Sequence, residues 1–328
     1  MSLYALDDLD DAVSATKSFL FPFYFGTWVK LAIVVFFIGG GFNVPTTGGS
    51  VPPSQVEAGI MIDPPPELFA LVGGIVVVVI ILALLFGIIG AIMEFVFFES
   101  LRHENVELRR YWSDRWRQGV RLFLFRLVIA IPVILLILGW IALVVVPLFL
   151  DIETIGISVG IFLLGVPMLF VISMLYGLVN GFTTVFVVPL MIQKDSGVMD
   201  GWRRLMPSIR REWKQYLGYT VTAFVLLVII GVIASVIVAI AALLLLVPLG
   251  LIGLITLLSV SFPSPIALLI LAVLVVIFLL AMAIVWALVQ IPLVTFFRYY
   301  ALLVLGDIET DFDIIPHRRR AIRKNMSE

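Results

Sequence analysis

The sequence has no cysteine, which excludes disulfides, thiol catalysis and thiolate metal sites. It has two histidines, His103 and His317, each alone in a polar segment. Neither has a second ligand at useful spacing, so both are read as solvated and no metal or cofactor is expected. Charged residues make up 13% of the chain, against about 25% in soluble domains. Lysine is scarcer still, with five against sixteen arginines, a usage that points to a GC-rich, salt-adapted source. Three stretches, 43–67, 150–156 and 259–265, hold no Lys or Arg at all. The N-terminus is acidic (Asp7, Asp8, Asp10, Asp11), the opposite of the basic start of a secretory leader. No strand-like alternation and no polar segment long enough for a separate catalytic domain is present.

What the chain does have is apolar length. It is 62% hydrophobic, with a mean hydropathy of +1.20. About 20 apolar residues cross a bilayer, and six runs are that long: about 23–42, 68–98, 120–149, 157–192, from 216 onward, and 266–304. The fifth continues to 258, about twice the bilayer's need, so a break is expected at Pro248-Leu249-Gly250, followed by a re-entrant or interfacial helix. Basic residues gather in the other two links and the C-terminal tail, which places both termini in the cytoplasm. The expected fold is all-α: a polytopic membrane bundle of six transmembrane helices in three hairpins. Residues 1–22 form a cytoplasmic amphipathic helix, 23–305 the membrane domain and 306–328 a charged cytoplasmic tail.

The segment 185–224 shows the repeated unit best: an apolar run, a charged crossing and a second apolar run. Trp202, Leu205, Met206, Ile209 and Trp213 are spaced as one helix face, with Arg203, Arg204, Arg210, Arg211 and Lys214 around them. Trp and Arg on a short helix suit a membrane surface. Trp112, Trp116, Trp202, Arg203, Arg204, Arg210, Arg211 and Trp213 are therefore candidate lipid-headgroup contacts, on interfacial helices at 108–117 and 199–213. A third such helix is expected at 5–20, with Leu6, Leu9, Val13 and Leu20 in one stripe and the aspartates elsewhere. Those aspartates share a membrane side with the two basic links and are expected to pair with their arginines. Three segments also resemble one another: EFVFFESLRHEN at 94–105, TVFVVPLMIQKD at 184–195 and TFFRYYALLVLGD at 295–307.

At DSGVMDGWRRLMPSIRREW the chain resembles the membrane-domain type found with glycerophosphoryl diester phosphodiesterases and its archaeal relatives. LDDLDDAVSATKSFLFPF and FFRYYALLVLGDIETDFD resemble a haloarchaeal family of six-helix membrane proteins. The resemblance implies a fold and not the phosphodiesterase activity, since the catalytic domain is missing.

Few residues inside the apolar runs carry chemistry. Gly156-Ile157-Ser158-Val159-Gly160 matches a hydrolase nucleophile elbow, but the motif needs a strand-turn-helix context and a histidine on the same side. Lys30, Glu94, Arg126 and Arg298 form a candidate intramembrane charge cluster. Each lies within about two turns of an inner helix end, so pairing or snorkelling would satisfy it. Glu94 is expected to pair with Arg126 across the short link, or failing that with Lys30. Gly177, Asn180 and Gly181 form a candidate helix-packing face. Pro132, Pro167, Pro189 and Pro292 fall inside helices, where they introduce kinks.

Two functions fit. The first is a non-enzymatic membrane scaffold or lipid-interacting protein, with membrane lipids and a membrane or cytoplasmic protein as partners. The second is a transporter or channel-like protein using the charge cluster. The basic links abut spanning helices, so anionic lipid is expected there and nucleic acid is not.

Overall fold

The computed structural model describes residues 4–39, 66–148, 155–259 and 264–327. Every regular element among them is helical. In order they are α1 (Tyr4–Leu20), α2 (Phe25–Ile38), α3 (Pro66–His103), α4 (Leu108–Leu148), α5 (Ile155–Phe182), a π-helical turn (Thr183–Val187), α6 (Val188–Lys194), α7 (Val198–Arg211), α8 (Trp213–Ser259), α9 (Pro265–Ile308), a short 3-10 turn and α10 (Pro316–Ser327). Five stretches are long and apolar enough to cross a membrane: Gly73–His103, Leu108–Pro147, Gly156–Lys194, Trp213–Ser259 and Pro265–Ile308. The first expected span is represented by α2, which has 14 residues. The three stretches free of Lys and Arg lie largely outside the described residues.

The core sits at one end of the bundle, where the charged residues also gather. Phe95–Phe98 of α3, Phe186–Met191 of the π turn and α6, and Tyr299–Leu305 of α9 are all but inaccessible. These are the three mutually similar segments. Each is apolar on all sides because each is packed on all sides. Toward the other end the long helices keep apolar side chains exposed, such as Val76, Leu135, Leu164 and Leu244. That is the surface expected of segments solvated by lipid tails. The joints at the charged end are tight: Glu104 and Asp195, which follow the first two similar segments, adopt left-handed φ values of 54° and 51°.

Four expectations about local structure are corrected. The helix runs unbroken through Pro248 to Ser259. Proline removes one backbone bond, and a helix in apolar surroundings keeps the rest because no water replaces them. At about 1.5 Å per residue, α8 is roughly 70 Å long, well past the hydrocarbon thickness. Second, 108–117 is not a separate interfacial helix but the first turns of α4, since nothing between 108 and Pro132 breaks it. Third, the chain bends at Glu212, so Trp213 opens α8 instead of closing α7.

The fourth correction concerns the partners of the α1 aspartates, not the side of α1 that its leucines occupy. The buried stripe of α1 is Asp8, Asp11, Ala12, Ala15 and Leu20, while Leu6 and Val13 are exposed. The aspartates turn inward because cations wait there. Arg323 of α10 donates to Asp8 Oδ1 at 3.1 Å, to Asp11 Oδ2 at 3.1 Å and to Asp307 Oδ2 of α9 at 2.6 Å. Arg319 pairs with Asp307 and Asp313 and donates to the Leu302 and Leu303 carbonyls. Asp8 and Asp11 therefore pair with the C-terminal tail, and among the described residues no ion pair joins the four aspartates to the two basic links.

This clasp titrates. Burial, then the like charge of Asp307, raises the Asp8 carboxyl from 3.8 to about 7, against the pull of Arg323 and Arg319. A raised carboxyl pKa favours the docked helix while the group is protonated, so docking weakens as pH rises from about 4 to about 7. Asp8→Asn is expected to dock α1 at pH 7.5 at least as firmly as wild type and to flatten that dependence. Because cysteine is absent, spin labels at Lys17→Cys and Arg320→Cys report this distance alone. An unchanged pH dependence in the variant would remove Asp8 as its origin.

Candidate functional site

Inside the apolar region, helix packing brings three charged side chains from distant parts of the chain together. Arg298 of α9 donates through Nη2 to Glu94 Oε2 of α3 at 2.5 Å. Arg126 of α4 donates through Nη2 to Glu94 Oε1 at 3.5 Å and to Thr184 Oγ1 at 2.6 Å. Thr184 in turn donates to the Asn180 carbonyl at 2.8 Å. The Arg298 guanidinium also lies 5.1 Å from the Phe98 ring centroid, within cation–π range. Glu94 and Arg298 are buried, 4% and 8% exposed, whereas Arg126 at the edge of the cluster keeps 22% of its side chain accessible.

The π turn places Thr184. Pro189 has no N–H for the Val185 carbonyl, and its ring would crowd that carbonyl in a regular α-helix. Widening the backbone over Thr183–Val187 relieves the conflict and turns Thr183 and Thr184 inward, both buried. Thr184 then meets Arg126, and Thr183 accepts from Trp202 Nε1 at 3.1 Å.

Lys30 does not join the cluster. It is exposed and donates to the Val106 carbonyl at 3.1 Å, in the link between α3 and α4. Its long side chain reaches the charged end while its backbone stays in α2. The closest partner of Glu94 is Arg298, 204 residues away, and Arg126 is the second.

The Trp and Arg side chains divide. Trp202 is half-buried, pinned to Thr183 and packed against the core, so it faces inward. Trp112 also packs against the core. Trp116 and Trp213 are exposed, with Arg117 and Lys214 lying over their rings. Arg203, Arg204, Arg210 and Arg211 are exposed. Arg211 is paired with Glu309 at 2.8 Å, and Arg203 sits 3.8 Å from Asp200.

Among the described residues, nothing packs closely on Gly177 or Gly181: a Cβ on either would meet nothing within 4 Å. The close approaches are elsewhere. A Cβ on Gly119 would lie 2.6 Å from the Ile92 backbone, and one on Gly90 would lie 2.6 Å from the Phe37 carbonyl. Gly156–Gly160 lies within helical α5 and not in a strand-turn-helix elbow.

A second network escaped sequence reasoning. Arg115 donates to Glu99 Oε1 at 2.6 and 2.9 Å, to Gln118 Oε1 at 3.1 Å and to Asp195 Oδ1 at 3.1 Å. Gln118 bridges to Asp195 at 2.7 Å and to the Met191 carbonyl at 3.3 Å. It joins the ends of α3, α4 and α6. The only local signal was Asp195-Ser196-Gly197, a turn that caps α6 with a left-handed residue. Among the described residues, no group of three His, Asp or Glu side chains is arranged to hold a metal ion.

The chain belongs to a family described as "Family of unknown function (DUF7544)", whose model matches residues 3–315. That description links it neither to the phosphodiesterase membrane-domain type nor to a haloarchaeal source. No curated protein and no solved structure matches the chain.

Proposed function

We propose that this member of the family is a non-enzymatic membrane scaffold that acts through lipid and protein contacts. The observation carrying this reading is the closure of the intramembrane charges on themselves: Glu94 accepts from both arginines, and the cluster ties α3, α4, α9 and the π turn together. A transport site would leave some of that charge facing a path for solute. We read the fold as six spans in three hairpins. The contact between α1 and α10 through Arg323 supports an even number, because it puts both termini at one end. The five long helices alone would separate them, so α2 supplies the sixth crossing. That end carries the Lys and Arg residues, which makes it cytoplasmic. The Trp- and Arg-bearing α7 hairpin is kept in this reading as a form of the phosphodiesterase-associated membrane-domain fold, and the arginine usage as that of an archaeal, haloarchaeal protein. No enzyme activity, cofactor or nucleic-acid partner belongs to it.

The rival is a transporter or channel-like protein, favoured by Pro292 in α9 close to Arg298. Proteoliposomes distinguish the two. The scaffold is expected to give ion and solute flux no higher than empty vesicles, and mild-detergent extracts of native membranes are expected to yield a stoichiometric companion. Flux that disappears in Glu94→Gln would transfer the function to the transporter class. A C-terminal tag is expected to be unreachable from outside intact cells, and labelling there would overturn the topology.

A further inference from the structure

We infer that the groove between α5, α7 and α8 seats one acyl chain of an anionic phospholipid, with Arg210 and Lys214 at its mouth binding the phosphate. This rests on the lipid-contact role proposed above and assigns it a site. The groove is a cavity of about 370 Å³ walled by Leu178 and Phe182 of α5, Trp202 and Ile209 of α7, and Trp213 and Leu217 of α8. Its walls are held in place. Trp202 Nε1 is bound to Thr183 at 3.1 Å, and the Ser208 and Tyr216 hydroxyls are hydrogen-bonded at 3.0 Å, joining α7 to α8. Those bonds occupy the polar atoms of Trp202 and Tyr216, so the groove presents a carbon surface. A hydrocarbon chain fits such a surface, and a sugar or nucleotide would lose its hydrogen bonds there.

Charge selects the headgroup. At about 100° per residue, Trp202, Met206 and Ile209 share one side of α7 and Arg210 lies at its edge, while Arg204 points away. Lys214 follows Trp213 directly and lies over its ring, 5.9 Å from the centroid. Among the described residues, no carboxylate lies within ion-pair reach of Arg210 or Lys214, whereas Arg211 is held by Glu309. Two unneutralised cations at the mouth of an apolar groove match an anionic amphiphile. A second copy docking the same face on itself would oppose arginine to arginine. Leu178 and Leu217 are exposed beside the groove on apolar helices, so lipid is what surrounds it.

Native mass spectrometry of the full chain in micelles carrying dioleoylphosphatidylglycerol or dioleoylphosphatidylcholine tests this. Wild type is expected to retain one phosphatidylglycerol more tightly than phosphatidylcholine. Arg210→Gln/Lys214→Gln is expected to weaken phosphatidylglycerol retention roughly tenfold or more and leave phosphatidylcholine unchanged. Leu217→Trp, which fills the groove from an exposed position, is expected to lose the tight lipid with an unchanged melting temperature. If both variants hold phosphatidylglycerol as wild type does, the groove is not the seat, although a lipid-contact role survives. If wild type holds the two lipids equally, both fall.

Discussion

Glu94→Gln is expected to lower the stability of the protein in detergent by about 3–5 kcal/mol, the cost of breaking a buried ion pair from one side. Glu94 is the shared acceptor of Arg298 and Arg126, and its loss leaves both cations without a counter-charge. Arg298 is the more exposed to this loss energetically, because it is 8% accessible and wedged against Phe98. Arg298→Met is expected to be milder, since Glu94 keeps Arg126 as a partner. The double variant Glu94→Gln/Arg298→Met is expected to be more stable than Glu94→Gln alone. It removes the deepest uncompensated cation, and Arg126 retains Thr184 at 2.6 Å. Thermal unfolding of the four proteins decides the matter. Additive losses would mean that the contact carries no coupling energy.

The second large effect concerns one substitution at two glycines, with opposite signs. Gly119→Ala is expected to destabilise by about 1–3 kcal/mol, the usual cost of overpacking. The new methyl would sit 2.6 Å from the Ile92 Cα, where α3 and α4 cross, and backbone cannot step aside as a side chain can. Gly177→Ala meets nothing within 4 Å. It is expected to be neutral or stabilising by up to about 1 kcal/mol, because alanine is the better helix former. Equal effects at the two positions would mean that α3 and α4 do not approach at Gly119.

Helix content, the long apolar helices, the gathering of charge near helix ends and the likeness of the three segments were legible in the sequence. Those properties follow from local composition: an apolar run must become a helix in lipid, and basic residues gather where the chain leaves it. Partnerships were not legible. Proximity along the chain suggested Arg126 for Glu94, but the long Arg298 side chain reaches from α9 to α3 and comes closer from 204 residues away. The leucines of α1 suggested which side would face the membrane, and Leu6 and Val13 are exposed. The bundle also buries Asp8 and Asp11 around Arg323 of α10, which offsets part of their desolvation, and Asp8 meets the rest through its raised pKa. GxxxG spacing suggested Gly177 and Gly181, whereas close contact depends on where two axes cross, and they cross at Gly119.

The sequence by itself determined that this chain is a set of long apolar helices with its charge held at their ends, because hydropathy and charge act over a few residues at a time. Only the tertiary structure decided which of those charges meet and which glycines touch. It also decided that the similar segments form one core and that, among the described residues, no carboxylate pairs with Arg210 or Lys214 beside a groove. Each of these depends on distances between residues tens to hundreds of positions apart, set by how the helices pack.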